Sequence, residues 1–240
     1  MDLKELESGV NPDIHWYYQS KKLQLISYTK KLLEKNNELT IVDVGSGSGF
    51  FALLLEKEFS TKIKKVYLVD IGYTEEEINE TKNKKIEKTL AIPQKIENGL
   101  VILMDVLEHL EDDYKMLKEI KAACTVNNHF YITVPAFMSL WSGHDVYLEH
   151  YRRYKINTLT EVLKRADFKV ANSFYLYGIL FPFAFVIRKM DNAMKKEAKS
   201  YMKPLSSFAN KVLFKVNELE MNIASANKYF GISCVALGEI

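Results

Sequence analysis

Ile41-Val42-Asp43-Val44 is an apolar, β-branched run broken by one carboxylate, and it stops at Gly45-Ser46-Gly47-Ser48-Gly49. A helix is expected at once, over Phe50–Glu58. A buried strand that passes into a helix through three alternate glycines suits few architectures. Glycine presents no Cβ and takes positive φ without strain, so such a turn bends sharply and lets a ligand lie against its backbone. The helix behind it offers unpaired N–H groups at its start. The spacing is G-x-G-x-G rather than the G-x-G-x-x-G of dinucleotide-binding turns, and an acidic residue, Asp43, lies just ahead of it.

The rest of the chain alternates in the same manner. Val66-Tyr67-Leu68-Val69-Asp70 reads as an apolar strand ending in a carboxylate 21 residues beyond Gly49. A helix follows over 74–85, with Glu75, Glu76 and Glu77 near the positive end of its dipole. Residues 88–92 are expected to form a third strand, and Pro93-Gln94-Lys95-Ile96-Glu97 comes after it. Leu100-Val101-Ile102-Leu103-Met104 is fully apolar, as the centre of a parallel sheet requires, and runs into Asp105-Val106-Leu107-Glu108-His109. A helix over 113–123 and a strand over 129–134 complete the pattern. Strands alternating with helices predict a parallel, doubly wound sheet, which binds ligands outside the carboxyl ends of its strands. The 45–49 turn, Asp70 and Asp105 all fall at such ends. Ahead of them, 13–35 reads as a helix opening on His15-Trp16-Tyr17-Tyr18, either packed on the sheet edge or closing over the site as a lid.

The glycine turn with its acidic neighbour, Asp70 one βα unit later and the Asp105 segment resemble the motifs of class I S-adenosylmethionine-dependent methyltransferases. The resemblance implies that Asp43, Gly45, Ser46, Gly47 and Gly49 hold the amino-acid part of the cofactor S-adenosyl-L-methionine. Asp70 would accept its ribose hydroxyls, two hydrogen bonds to a charged group, and Asp105 with Val106 would face the methionine moiety and the reacting methyl. The family often places an acidic residue after the third strand for the adenine amino group. Gln94 or backbone stands in that place here.

The loop after the fifth strand carries Trp141-Ser142-Gly143-His144-Asp145 and His150-Tyr151-Arg152-Arg153-Tyr154. Loops this rich in chemistry usually bind something. The pattern resembles a bacterial subgroup of these methyltransferases, many of whose members look like enzymes of surface-glycan or lipid-linked glycan pathways. Methyl transfer to a hydroxyl needs a base near the attacking oxygen. His144 is the first candidate, with Asp145 orienting it or His150 replacing it. Trp141, Tyr151, Arg152 and Arg153 are the candidate substrate-binding residues, the arginines suited to a phosphate or carboxylate.

Beyond a helix over 158–166 and a sixth strand over 168–177, residues 174–187 are almost entirely apolar, with Pro182 inside. Fourteen such residues cannot span a bilayer. Arg188, Lys189, Lys195, Lys196, Lys199 and Lys203 follow against two acidic residues. An apolar wedge beside a basic segment suits peripheral membrane contact through 174–203 or a lipid-linked substrate; a buried cap helix or a dimer contact fits as well. Another helix over 208–222 and a last strand over 231–237 end the chain.

The fold class is therefore α/β: a Rossmann-like, doubly wound, mostly parallel seven-stranded sheet with an antiparallel last strand, an N-terminal helix and a helical insertion before that strand. One methyltransferase domain over 1–240 is expected, with the N-terminal helix at 13–35, the core at 40–177 and 231–238, and a cap at 178–228.

Composition narrows the function classes. With 48% hydrophobic and 27% charged residues and a net charge of +2, nothing global points to nucleic acid. Cys124 and Cys234 have neither disulfide-framework nor metal spacing, and no metal site is expected. No signal-peptide core opens the sequence, which reads as cytoplasmic, with the inner membrane face as a second option. The function that emerges is O-methylation of a small or lipid-linked anionic, glycan-type acceptor. N- or C-methylation of a metabolite, or a non-catalytic cofactor-binding or interaction protein, remain as alternatives, and the oligomeric state is open.

Overall fold

Among the described residues, seven strands form one sheet: β1 Leu39–Val44, β2 Ile63–Val69, β3 Ile86–Thr89, β4 Gly99–Met104, β5 His129–Pro135, β6 Lys169–Leu176 and β7 Ser233–Glu239. In this computed structural model, residues 6, 9–194 and 197–240 are described; the other N-terminal residues, and Lys195 and Lys196 of the basic stretch, lie outside the described residues. The helices are α1 Trp16–Lys35, α2 Phe50–Glu58, α3 Glu75–Thr81, α4 Asp113–Ala123, α5 Gly143–Tyr147, α6 Ile156–Arg165, α7 Phe181–Ala193 and α8 Ser207–Met221.

The sheet order is β3-β2-β1-β4-β5-β7-β6. β1 to β5 pair in parallel, and β7 lies antiparallel between β5 and β6. This is the mostly parallel, doubly wound arrangement expected from the strand–helix alternation. Successive side chains on a strand face opposite sides, and β4, buried along its whole length, splits accordingly. Val101 and Leu103 join a core with Leu117 and Ile120 of α4 and Leu159 and Leu163 of α6. Leu100 and Ile102 join a second core with Leu25 of α1, Leu55 of α2 and Met221 of α8. Both faces are thus covered, as a parallel sheet demands.

Several boundaries differ from expectation. The third strand lies earlier than 88–92, because Val66 to Val69 of β2 pair in register with Ile86 to Thr89. Helix α3 stops at Thr81, short of the expected Lys85, and Asn83 then takes φ 61°, a left-handed conformation that ends helical turns. The apolar run 174–187 is not one element. It supplies the buried end of β6, turns at Tyr177 (φ 62°) and continues into α7. Pro182 sits in the first turn of α7, where its missing N–H removes no helical hydrogen bond. Among the described residues, no helix is long and apolar enough to cross a membrane.

α7 and α8 fall between β6 and β7, and α8 meets the start of α1, where Asn210 Oδ1 accepts from Trp16 N–H at 2.8 Å. This brings the first turns of α1 over the carboxyl ends of the central strands.

Candidate active site

At the tip of β1 the glycine turn is fixed by backbone. Gly45 N–H and Ser46 N–H both donate to Val69 O, at 2.8 and 3.1 Å. Gly45 and Gly49 have φ of 69° and 74°. A Cβ on Gly45 would stand 2.8 Å from Val106 Cγ2, and one on Gly49 2.9 Å from Leu68 Cδ1. Glycine here lets the turn press against both the β4 loop and β2. Asp43 is buried one residue before the strand's end.

Asp70, past the tip of β2, reaches across to this turn. Its Oδ2 accepts from Gly47 N–H at 2.8 Å and its Oδ1 from Gly72 N–H at 2.9 Å. Tyr73 is a second tie that sequence reasoning missed. Its hydroxyl donates to Gly47 O at 3.0 Å and accepts from Ser46 Oγ at 2.8 Å. Burial pushes the Tyr73 hydroxyl up to about 12, so it stays a donor at neutral pH.

Asp105, beyond β4, sits at φ 59°. Its Oδ2 accepts from Tyr17 at 3.0 Å and from the Lys21 ammonium, and its Oδ1 from Thr133 Oγ1 at 3.0 Å. Burial alone would raise its pKa, but the Lys21 charge and these three donors outweigh it and hold the carboxyl below its usual range. The aromatic start of α1 is therefore bonded to the strand-end site. Tyr17 also stacks on Tyr177 with ring centres 5.4 Å apart.

A cavity of about 390 Å³ opens beside Asp105. Its walls come from the start of α1, the loop after β5, α7 and Tyr201. Of the loop residues named from sequence, His144, His150 and Arg153 line it, whereas Trp141, Tyr151 and Arg152 do not. Arg152 is turned to α4, donating to Glu111 O at 2.6 Å and pairing with Asp113 at 3.4 Å. Tyr151 is 57% exposed, and Trp141 O is held by Asn192 Nδ2 at 2.8 Å. The two arginines thus diverge and cannot grip one acceptor group together.

Asp145 is the hub of this loop and is fully buried. It accepts from Ser142 N–H at 2.9 Å, Arg153 Nε at 2.6 Å and His150 Nδ1 at 2.9 Å. Burial opposes its charge, yet the bond to His150 and the Arg153 guanidinium keep its pKa far below the usual carboxylate range. A carboxylate only accepts, so His150 donates from Nδ1 and leaves Nε2 for another partner. The partner that Asp145 orients is therefore His150, where the sequence pointed first to His144. His144 Nδ1 instead accepts from Tyr201 N–H at 3.2 Å. Burial, reinforced by Arg188, pulls the pKa of His144 down to about 3.

Glu108 is the least expected member. Its side chain lines the cavity, is fully buried, and neither carboxyl oxygen has a hydrogen-bond partner among the described residues. Burial, with Asp105 adding to it, raises its pKa well above the ordinary value. His109, also on the cavity, stands edge-on to His150 with ring centres 4.6 Å apart. The sequence signal was present in Glu108-His109 directly after a strand-end carboxylate. No pattern along the chain, however, ties that pair to His150, 41 residues later.

A glycine turn and a carboxylate at adjacent strand tips, with a cavity beside the next one, define a Rossmann-like nucleoside-binding protein. The family model described as Methyltransferase domain matches residues 15–173, and the chain belongs to that family. No curated protein matches the chain. Solved structures share its fold. One is a protein provisionally assigned as a sarcosine dimethylglycine methyltransferase from Galdieria sulphuraria, with TM-score 0.55, 14% identity, and coverage of 90% of this chain and 84% of that one. Another is coclaurine N-methyltransferase bound to N-methylheliamine and SAH, with TM-score 0.53, 12% identity, and 90% and 70% coverage. A third is a protein provisionally assigned as a methyltransferase, in complex with the Haloferax volcanii Trm112 methyltransferase activator, with TM-score 0.51, 15% identity, and 95% and 90% coverage. At these identities the likeness is one of fold.

The protein has the class I fold, and S-adenosylmethionine is its cofactor. The residues fit that group. The glycine turn lies at the tip of β1, with Gly45 and Gly49 in the left-handed region. A carboxylate has about four lone-pair positions, and the amides of Gly47 and Gly72 use two of those on Asp70, which leaves capacity for a ribose diol.

Proposed function

We propose that the chain methylates a hydroxyl of a small or lipid-linked anionic acceptor, held in the cavity beside Asp105. When bound, S-adenosylmethionine supplies a methyl group on a sulfonium; the sulfur leaves as a neutral thioether, the acceptor's O–H becomes O–CH3 and one proton is released. Asp43, Gly45, Ser46, Gly47, Gly49 and Asp70 hold the cofactor, and Asp105 with Val106 bounds its methionine end. Residues 178–228 act as a cap on a core of 40–177 and 231–238.

The observation that carries the reading is the polar corner of Glu108, His109 and His150 in an otherwise largely apolar and aromatic cavity. Methyl transfer asks the protein to position the nucleophile and to ease loss of its proton. His150, fixed by Asp145 through Nδ1, supplies at Nε2 the lone pair on which that step depends. His144 suits it poorly, because a group with a pKa near 3 has little proton affinity at neutral pH. Its assigned part is to hold the segment at Tyr201.

Charge supports an anionic acceptor. Lys21, Arg153 and Arg188 line the cavity against the carboxylates of Asp105 and Asp145, while burial disfavours ionisation of Glu108. One positive charge is left over. A lipid-linked acceptor is supported by α7, where Phe183, Val186, Ile187 and Met190 are exposed at helical spacing and Ile187 also reaches the cavity.

The test is incubation with a labelled methyl donor and extracts of the source cell, followed by mass spectrometry and NMR of whatever carries label. A methoxy product on an anionic acceptor is expected; label on nitrogen or carbon would overturn the O-methylation reading. Calorimetry should show binding of S-adenosylhomocysteine and none of NADH.

A further inference from the structure

We propose that Glu108, His109 and His150 form a binding site for a divalent first-row transition-metal cation at the cavity corner. The three side chains offer one carboxylate and two imidazole ligand atoms, all within 4.8 Å of one another. Around a cation bonded at ~2.1 Å, ligand atoms stand roughly 3–4.2 Å apart, so small side-chain rotations close the shell.

Two observations point to a ligand here. A carboxyl that is fully buried with both oxygens unpartnered is costly unless something fills its coordination. His150 has Nδ1 bonded to Asp145 at 2.9 Å, the carboxylate–histidine arrangement that orients metal-bound imidazoles and raises their basicity. With Nδ1 engaged, Nε2 is left for the cation. A mixed carboxylate–imidazole set favours Mn2+, Fe2+, Co2+ or Zn2+ over Mg2+ and Ca2+, which prefer all-oxygen shells. The cavity side of the cation is open to solvent or an incoming hydroxyl.

This inference rests on placing the acceptor oxygen at the same corner, and it states how the corner acts. With a cation held there, His150 Nε2 would serve as its ligand rather than as a proton acceptor, and the cation would supply the lowered pKa of an adjacent hydroxyl, whose proton would pass to water. The site would add to the bond from Tyr151 N–H to Glu108 O, 2.7 Å, that already ties the loop after β5 to the segment after β4.

The experiment uses the full-length protein stripped with a chelator and titrated with Mn2+, followed by electron paramagnetic resonance, and with Co2+, followed by visible absorption. One equivalent is expected to bind, with Co2+ showing bands of a nitrogen–oxygen site. Glu108→Gln, nearly the same shape, and His150→Gln should each weaken uptake at least tenfold, and Asp145→Asn by 10- to 100-fold, with circular dichroism unchanged. A folded wild-type protein that binds S-adenosylhomocysteine but takes up neither ion overturns the site and leaves the methyl-transfer reading standing. Equal uptake by wild type and Glu108→Gln also overturns it. Normal uptake with label found on nitrogen overturns the O-methylation reading instead and leaves the site standing.

Discussion

The ammonium of Lys21 rests on the carboxylate of Asp105, joining the N-terminal helix to the end of the central strand. Lys21 is 1% exposed and the Asp105 side chain 26%, so the pair is shielded on the helix side and open to the cavity on the other. Removing one member of a buried pair leaves an uncompensated charge and costs about 3–5 kcal/mol. The partial exposure of Asp105 puts Lys21→Met near the low end, roughly 3 kcal/mol by urea unfolding. Adding Asp105→Asn should return part of that loss, because the stranded charge is gone. A loss below ~1 kcal/mol in the single variant would equal that of an exposed pair and refute the arrangement.

Asp70 joins the glycine turn through Gly47 to its own loop through Gly72, and in the proposed reading it also accepts the cofactor's ribose hydroxyls. Asp70→Ala should weaken S-adenosylhomocysteine binding by about 1.5–3 kcal/mol, the range for hydrogen bonds to a charged group. Calorimetry would read this as a drop of roughly 10- to 100-fold. An unchanged affinity removes Asp70 from the site.

The sheet and its strand-end motifs were legible because each is a local pattern: apolar runs of strand length, glycines at fixed offsets, a carboxylate where a run ends. β4 shows this best, six buried residues leading into Asp105. The cavity was less legible, since its members meet only through tertiary packing. Asp145 lies next to His144 in the chain, yet α5 and the turn after it bring His150 onto its Oδ1. Arg152 and Arg153 are adjacent in sequence but leave the backbone in different directions, one to α4 and one to Asp145. Nothing local to α1 marks Lys21 for burial; its partner Asp105 at the end of β4 gives that burial a reason.

The glycine turn yields a graded test. Gly45→Ala forces a side chain into φ 69°, costing about 1–2 kcal/mol, and sets a methyl 2.8 Å from Val106 Cγ2. Val106→Ala added to it should relieve the contact but not the backbone term. Recovery in urea unfolding should therefore be measurable and incomplete relative to Val106→Ala alone; full recovery would show that backbone strain is absent. At the turn's centre, Gly47→Val should abolish S-adenosylhomocysteine binding in calorimetry, because its side chain fills ligand space, and retained affinity would refute that placement.

His144 makes stability depend on pH in a direction that can be worked out. In the unfolded chain its pKa returns to about 6.5, whereas burial and Arg188 hold it near 3 in the folded protein. Between these values the unfolded state binds a proton that the folded state refuses, so stability falls as pH drops from about 6.5 towards 3 and is unaffected by this group above that window. At ~1.36 kcal/mol per pKa unit, the whole shift amounts to something on the order of 4–5 kcal/mol, of which about 2 kcal/mol should be lost by pH 5. His144→Gln keeps an acceptor for Tyr201 N–H and has no proton to gain. Urea unfolding at pH 7.5, 6 and 5 should thus show wild type losing stability faster than the variant; parallel losses would mean that the imidazole is charged, or free to become so, in the folded protein.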